Sequence, residues 1–257
     1  MTGHDPRTAQ LAQRLAVVQQ RVGAAVDARN AADPHGAPAG DPTLIVVTKF
    51  HPAEDVLRLR GLGVLDVGEN RDQEAAAKAA RVGDPALRWH FIGQLQKNKA
   101  KSVAAYAHSV HSIDRASLVN ALGNAMVQAQ DATGRAPLEC FLQVELSSAY
   151  PALTGPGSDA NSGRGGLAPS NMAALADLVA ATPGLTLAGL MAVAPLGVAP
   201  EPAFELLSRL SAGLATQHPQ ATGISAGMSH DLEVAIAAGA THLRVGSDIL
   251  GPRPVVL

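Results

Sequence analysis

Eight short apolar runs alternate with helix-like segments over most of this 257-residue chain, and this alternation constrains the fold more than any other feature. The candidate strands are residues 44–48, 64–67, 88–92, 109–112, 138–145, 185–190, 222–225 and 241–245. The helix-like segments between them are residues 53–61, 70–81, 97–105, 115–131, 170–181, 201–215 and 230–238. Strands that alternate with helices form parallel sheets. Eight such units predict an α/β fold, a single closed (β/α)8 TIM barrel over residues 44–253.

An open doubly wound sheet is the alternative arrangement for such a pattern. It would need fewer strands and a glycine-rich dinucleotide fingerprint, and no G-x-G-x-x-G motif follows any candidate strand. Ahead of the first strand, residues 8–29 repeat apolar side chains at helical spacing, which predicts an amphipathic helix. Its apolar face consists of Leu11, Leu15, Val18 and Val22. We therefore expect one domain over residues 1–257, in which this helix precedes the barrel.

Composition excludes several classes of function. A net charge of -2 gives no electrostatic basis for binding nucleic acid. Cys140 is the only cysteine, so no intramolecular disulfide and no multi-cysteine zinc site can form. The uncharged stretch 178–200 is interrupted by proline and glycine, which argues against a membrane span. The histidines lack ligand-like spacing, so no metal site is predicted. With no signal-peptide pattern, we expect a cytoplasmic protein.

Lys49 is the first candidate for chemistry. It ends the first predicted strand, and a lysine amine at the end of a buried strand loses part of its hydration. Desolvation lowers the pKa of a lysine toward the range in which the free amine attacks a carbonyl. Lys49 is therefore a candidate for Schiff-base formation, the alternative being an ordinary solvated lysine.

Two loops at the predicted barrel mouth resemble phosphate sites. Residues 225–231 follow strand seven and residues 244–248 follow strand eight, and each loop places glycine and serine before a helix start. Opposite a lysine, such loops suit a phosphorylated carbonyl compound. The alternatives are that Ser229 only caps the next helix, that Gly246 and Ser247 form a simple turn, and that Arg244 pairs with a carboxylate. After strand two, Gly68 is expected to turn the chain and Asn70 to cap a helix.

Several segments resemble the pyridoxal phosphate homeostasis proteins (the YggS/PROSC family), from about residue 8 to Arg253. The most specific are the run from Trp89 to Lys99 and the run from Gly227 to Gly251. Further matches are Val46-Val47-Thr48-Lys49, Val67-Gly68-Glu69-Asn70 and Gly189-Leu190-Met191. The chain departs from many relatives at Arg71-Asp72, where those carry Tyr-Val, and the loop 147–168 is longer than expected.

The resemblance implies the fold of the alanine racemase N-terminal domain (fold type III of pyridoxal 5'-phosphate, PLP, proteins), without the racemases' second domain. Lys49 would hold PLP as a Schiff base, and Arg244 would face the pyridine nitrogen. Asn70 would line the pocket near the ring. The phosphate would be held by Ser229, Gly246 and Ser247, with the Met228 backbone nearby.

The resemblance also implies a function, that of a carrier and buffer of PLP that supports PLP and amino-acid homeostasis. We expect no catalysis, because the racemases' opposing tyrosine comes from the missing domain and Tyr106 and Tyr150 are the only tyrosines. The alternatives are a racemase-like PLP enzyme and a Schiff-base aldolase. PLP-dependent apo-enzymes would be transient partners, nucleic acid and membranes are not expected as partners, and the protein is expected to be a monomer.

Overall fold

The computed structural model describes residues 5–32, 40–147, 165–195 and 197–253. Within these ranges, eight parallel strands close into a barrel in sequence order, from β1 to β8. The strands are β1 (Thr43–Val47), β2 (Asp66–Glu69), β3 (Arg88–Phe91), β4 (Ser109–Ile113), β5 (Leu138–Gln143), β6 (Leu185–Met191), β7 (Gly223–Ser225) and β8 (His242–Val245). The predicted (β/α)8 barrel is confirmed.

Helices surround the barrel and connect its strands. They are α1 (Pro6–Ala32), α2 (Ala53–Gly61), α3 (Asp72–Val82), α4 (Ala100–Tyr106), α5 (Ala116–Thr133), α6 (Met172–Ala181), α7 (Glu201–Gln217), α8 (Leu232–Ala237) and α9 (Ser247–Leu250). Short 3-10 turns, Lys97–Lys99 and Pro169–Asn171, precede α4 and α6. Most of the predicted loop 147–168, with Tyr150, lies outside the described residues.

The second strand differs from its prediction. The apolar residues Val64 and Leu65 suggested a strand over 64–67, but β2 begins at Asp66 and includes Gly68 and Glu69. Gly68 therefore does not turn the chain, and that expectation was wrong. The physical reason is that Val64 is buried ahead of the strand and Leu65 is exposed, while the acidic residues of β2 itself are buried with partners inside the fold.

The N-terminal helix covers the outside of the barrel. Leu11, Leu15 and Val18 of α1 are buried, as the spacing predicted, and Val26 extends this apolar face by two turns. The helix packs mainly against α2, α8 and α9, which are elements beside the first and last strands. Burial of each large aliphatic side chain contributes about 1.5–3 kcal/mol, so α1 is an integral part of the fold.

Two glycines allow β6 and β7 to approach closely. A Cβ atom on Gly189 would lie 1.9 Å from the carbonyl oxygen of Gly223, and the φ of Gly189 is +152°. A Cβ atom on Gly223 would lie 2.7 Å from the Phe141 ring. Only glycine avoids both clashes, so Gly189 lets the backbones of β6 and β7 approach and Gly223 leaves room for the Phe141 ring of β5.

We expect Gly189→Ala to lower the free energy of unfolding by about 3 kcal/mol, because the backbone of β7 must move away from the new methyl group. Gly213→Ala is the matched control. Gly213 lies in α7 with no atom near its Cβ position, so alanine there should stabilise the protein by up to about 1 kcal/mol. Urea unfolding of both variants checks this, and equal midpoints would contradict the proposed close approach.

Candidate functional site

Lys49 lies at the carboxyl end of β1, at the mouth of the barrel. The strand ends at Val47, Thr48 is buried, and Lys49 follows in a turn with an exposed side chain. The burial expected for this amine was therefore wrong, because the strand ends two residues before it. Its position at the mouth, where barrels of this type carry their sites, agrees with the prediction.

A cluster of buried charges holds the turn that carries Lys49. Lys78 Nζ donates to the Thr48 carbonyl oxygen at 2.8 Å, to Glu69 Oε1 at 2.7 Å and to Glu74 Oε1 at 2.6 Å. Thr48 Oγ1 also donates to Glu69 Oε1, at 2.6 Å. Burial raises the pKa of Glu69, although its bonds to Lys78 and Thr48 favour the carboxylate. The backbone just before Lys49 is therefore fixed by an ion pair and hydrogen bonds.

Phe50 continues this turn in a strained conformation. Its φ is +69°, a left-handed value that is uncommon for a bulky residue, and its amide donates to Glu74 Oε1 at 2.6 Å. The Arg253 guanidinium lies 3.6 Å from the centre of the Phe50 ring, and that of Arg71 lies 5.3 Å from it. Cation–π attraction thus holds two guanidinium groups over Phe50, and their charge makes the rim beside Lys49 positive.

The two predicted phosphate loops meet beside this turn. Ser229 Oγ and Ser247 Oγ are 3.2 Å apart, so a pair of hydroxyl groups bridges the loops after β7 and β8. A Cβ atom on Gly246 would lie 3.1 Å from the Val47 carbonyl oxygen, which places this glycine against the end of β1. Pairing of β1 with β8 closes the barrel and thereby brings Lys49 and Ser247 to neighbouring strand ends.

Ser229 does not cap α8, which begins at Leu232 with Asp231 as its N-cap residue and no side-chain cap. The Asp231 carboxylate instead accepts the Met228 amide at 2.6 Å. That amide is therefore already paired, so a ligand would use it only by displacing Asp231. The side chain of Met228 is 37% exposed beside the loop.

Arg21 of α1 ties the two loops together, and nothing in the sequence pattern pointed to it. Its Nε donates to Glu233 at 2.7 Å, Nη1 to Asp248 at 2.7 Å, and Nη2 to the Ser229 carbonyl oxygen at 2.9 Å. Its single positive charge is thus shared by Glu233 and Asp248 and partly offsets the negative charge near the loops. The only sequence signal was a basic residue on a helix, which is common on any solvated face.

Arg244 is buried inside the barrel. Its Nη1 donates to Ser225 Oγ at 2.6 Å and its Nη2 to the Ala192 carbonyl oxygen at 2.9 Å. The carboxylate partner considered from the sequence is not seen among the described residues, since both acceptors are neutral. Burial lowers the pKa of Arg244, to about 10, and the guanidinium stays protonated at neutral pH. An arginine has five N–H groups, so donors remain for a ligand.

Asn70 follows β2 at the same end of the barrel. Its Oδ1 is buried and has no hydrogen-bond partner among the described residues. It does not cap α3, because that helix begins at Asp72 after Arg71 and has no side-chain cap. A Cβ atom on Gly93 would lie 2.2 Å from the Asn70 carbonyl oxygen, which explains why a glycine stands at this position, two residues after β3. The orphaned amide oxygen is a polar atom that a ligand could satisfy.

Three histidines that looked scattered in the sequence meet inside the barrel. The ring centres of His90 and His111 are 5.3 Å apart, and those of His111 and His242 are 6.2 Å apart. Burial lowers the pKa of His242 to about 4, and it lowers the pKa of His111 well below its ordinary value. The part of the chain that the structure describes holds no group of three possible metal ligands. The rings instead take part in hydrogen bonds, His111 with Ser225, His90 with the Asp66 carboxylate and His242 with Thr241.

Two further observations concern membrane-spanning helices and Tyr106. Across the described ranges, no helix combines the length and apolar character needed to cross a membrane. Tyr106 ends α4, outside the barrel, and burial raises its pKa far above the ordinary value. It is therefore poorly suited to act as a base.

Comparison with known proteins agrees with this geometry. The family model for the alanine racemase N-terminal domain matches residues 29–254. The pyridoxal phosphate homeostasis protein of Corynebacterium glutamicum is 42% identical over 223 residues, which is 86% of this chain and 95% of the relative. The chain therefore belongs to the family of pyridoxal phosphate homeostasis proteins, which carry the racemase-type barrel.

Solved structures resemble the same barrel. PipY of Synechococcus elongatus, solved with PLP bound, is 31% identical, with a TM-score of 0.73, and the match covers 94% of this chain and 100% of PipY. Alanine racemase of Corynebacterium glutamicum is 14% identical with a TM-score of 0.64, covering 97% of this chain but 62% of the racemase. The racemase likeness shows the fold alone.

We expect Lys78→Met to lower the free energy of unfolding by about 3 kcal/mol, because it leaves Glu69 buried without a counter-charge. Combining it with Glu69→Gln should restore part of this loss, since the double variant buries no charge at that position. Lys101→Met on an exposed face of α4 is the control, with an expected change within about 0.5 kcal/mol. Urea unfolding measures all three, and a Lys78→Met loss no larger than that of the control would contradict the buried ion pair.

Proposed function

We propose that the chain binds PLP as a Schiff base on Lys49 and acts as a carrier and buffer of this cofactor. The observation that carries the proposal is the convergence of an exposed amine, a bridging hydroxyl pair and a buried guanidinium at one end of the barrel. Membership of the family and the PLP-bound state of PipY support it. When bound, PLP would supply an aldehyde that reacts reversibly with amines and a ring that withdraws electrons.

The phosphate of PLP fits the two serine loops. The hydroxyl groups of Ser229 and Ser247 are close enough to contact one phosphate group together. Gly246 has no side chain to obstruct that position and lies against Val47, two residues before Lys49. Arg21 pairs with both Asp248 and Glu233, which reduces the repulsion that an anion would otherwise meet there.

The ring of PLP fits between Arg244 and Asn70. An arginine has no acceptor, so a pyridine nitrogen that faces Arg244 must accept a hydrogen bond and stays unprotonated. An unprotonated ring is a weaker electron sink than one paired with a carboxylic acid. Asn70 Oδ1, which has no partner among the described residues, would face a polar group near the ring.

These features favour a carrier over an enzyme. Racemisation needs a base on each face of the substrate, and Lys49 supplies one. Tyr106 lies in α4 outside the barrel, and Tyr150 is not among the described residues. We therefore propose that the protein sequesters the reactive aldehyde and releases PLP to PLP-dependent apo-enzymes. The monomeric state and cytoplasmic setting expected from the sequence remain predictions.

We expect wild-type protein to show the absorption of a PLP Schiff base, and borohydride should trap the cofactor on Lys49. Lys49→Ala should lose this trapping and bind PLP at least about tenfold more weakly, because the covalent link is gone and only the phosphate and ring contacts remain. Peptide mapping of the reduced protein identifies the trapped residue.

Lys101→Ala is the matched control for this experiment, since it removes an exposed amine that lies on the outer helix α4 and not at a strand end. It should bind and trap PLP like wild type. Trapping on a lysine other than Lys49, or no Schiff-base absorption after PLP is added, would contradict the assignment and return the aldolase alternative to consideration.

The carrier and racemase alternatives differ in proton exchange at the amino-acid α-carbon. We expect PLP-loaded protein in deuterium oxide to leave the α-proton of alanine and serine in place over many hours, because Tyr106, the tyrosine among the described residues, lies in α4 and not at the barrel mouth. Nuclear magnetic resonance measures the exchange directly. Exchange at enzymatic rates that disappears in Lys49→Ala would favour the racemase-like alternative.

A further inference from the structure

A continuous chain of hydrogen bonds crosses the interior of the barrel. Branched aliphatic side chains usually fill this space in (β/α)8 barrels. Here six buried polar side chains from five strands are hydrogen-bonded one to the next instead. They are Arg244 of β8, Ser225 of β7, His111 and Ser109 of β4, His90 of β3 and Asp66 of β2. Buried polar groups are costly unless each is paired, so the order of pairing carries information.

The direction of the first half of this chain follows from Arg244, which can only donate. Its Nη1 donates to Ser225 Oγ at 2.6 Å. Ser225 then has one proton left, and its other partner is His111 Nδ1 at 2.8 Å. His111 Nδ1 must therefore accept, which places the ring proton of His111 on Nε2. That N–H group donates to Ser109 Oγ at 2.9 Å.

The direction of the second half follows from Asp66. Burial would raise the pKa of Asp66, but hydrogen bonds from His90 and Arg88 outweigh it and hold this pKa well below the ordinary value. The carboxylate therefore accepts, and His90 Nε2, 2.8 Å away, carries the proton. His90 Nδ1 then accepts from Ser109 Oγ at 2.6 Å. The directions deduced from the two ends agree at Ser109.

Other proton arrangements leave groups unpaired. His90 Nδ1 and His111 Nε2 are 3.1 Å apart, so a proton on both would place two N–H groups against each other. A doubly protonated His111 would also leave the Ser225 hydroxyl proton without an acceptor. Burial and the nearby positive groups lower the pKa of His111 well below its ordinary value, which agrees with a neutral ring.

We propose that Ser225, His111, Ser109 and His90 are positioning residues for Arg244, joined in a hydrogen-bonded chain of one fixed direction that ends on Asp66. The chain holds the guanidinium so that its unused N–H groups face the ring of the ligand. The direction of these hydrogen bonds cannot reverse, because Arg244 has no acceptor. The hydrogen-bonded chain therefore orients the guanidinium and does not conduct protons. The part that concerns PLP rests on the proposed function; the direction of the chain does not.

The first test measures the histidine protons without cofactor. Protein labelled with nitrogen-15 histidine is examined by nuclear magnetic resonance at neutral pH, before PLP is added. We expect both His90 and His111 as neutral rings with the proton on Nε2. A proton on Nδ1 of either ring, or a doubly protonated His111, would contradict the proposed direction of the hydrogen-bonded chain, whether or not the protein binds PLP.

The second test breaks the chain at its link to Arg244. Ser225→Ala should bind PLP about tenfold more weakly and should shift the nitrogen-15 resonance of labelled pyridine in the bound cofactor. Ser112→Ala is the matched control: Ser112 is also a buried serine, on β4, but its hydroxyl has no partner within the described residues. It should change neither quantity. Equal effects of the two variants would overturn the positioning role.

His111 provides a test by conservative replacement. His111→Gln keeps one acceptor for Ser225 and one donor for Ser109, so it should retain the ring-nitrogen resonance and the affinity of wild type within about threefold. His111→Leu removes both and should behave like Ser225→Ala. Equal loss in both variants would mean that His111 only fills space. If wild-type protein does not bind PLP, the role of these residues toward the cofactor is overturned. The positions of the histidine protons would still test the direction of the hydrogen-bonded chain.

Discussion

Pairing of β1 with β8 is the constraint on which the site depends. This pairing closes the sheet, with Val46 opposite Val245, and it makes the first and last strands of the sequence neighbours. Residues almost two hundred positions apart, Lys49 and Ser247, thereby lie at adjacent strand ends. Helix α1 reinforces the closure from outside, because Arg21 holds the loops after β7 and β8 together. A site of this kind cannot form from either half of the barrel alone.

Buried charge has a different role at each side of the mouth. Beside β1, Lys78 and Glu69 neutralise each other directly and fix the backbone that precedes Lys49. Beside β8, Arg244 donates only to neutral acceptors, and Asp66 at the far end of the row of hydrogen bonds has its own partner in Arg88. A carboxylate paired directly with Arg244 would compensate its charge, whereas neutral acceptors leave that charge and the remaining N–H groups for a ligand.

Most elements could be predicted from the sequence because most strands lie in compact apolar runs and the helices have regular apolar spacing. The error at β2 arose because Val64 and Leu65 form the apolar run, while the strand itself holds buried acids. The proximity of the Ser229 and Ser247 loops was predictable, since barrel topology brings loops after successive strands together. The conformation of the turn at Lys49 could not be predicted, because it depends on a hydrogen bond from Lys78, which lies in α3.

The hydrogen-bonded chain could not be predicted for a more general reason. Strands of a parallel barrel are buried on both faces, so alternation along β4 does not show which side chains face the interior. Ser109 and His111 share one face, but only the closed barrel sets that face against Ser225 and His90. Glycine contributes to this closeness, since Gly223 leaves room for Phe141, whose ring stacks on His111 with centres 4.4 Å apart. In the proposed arrangement, the orientation of Arg244 thus depends on packing at β5, β6 and β7 as well as on its own hydrogen bonds.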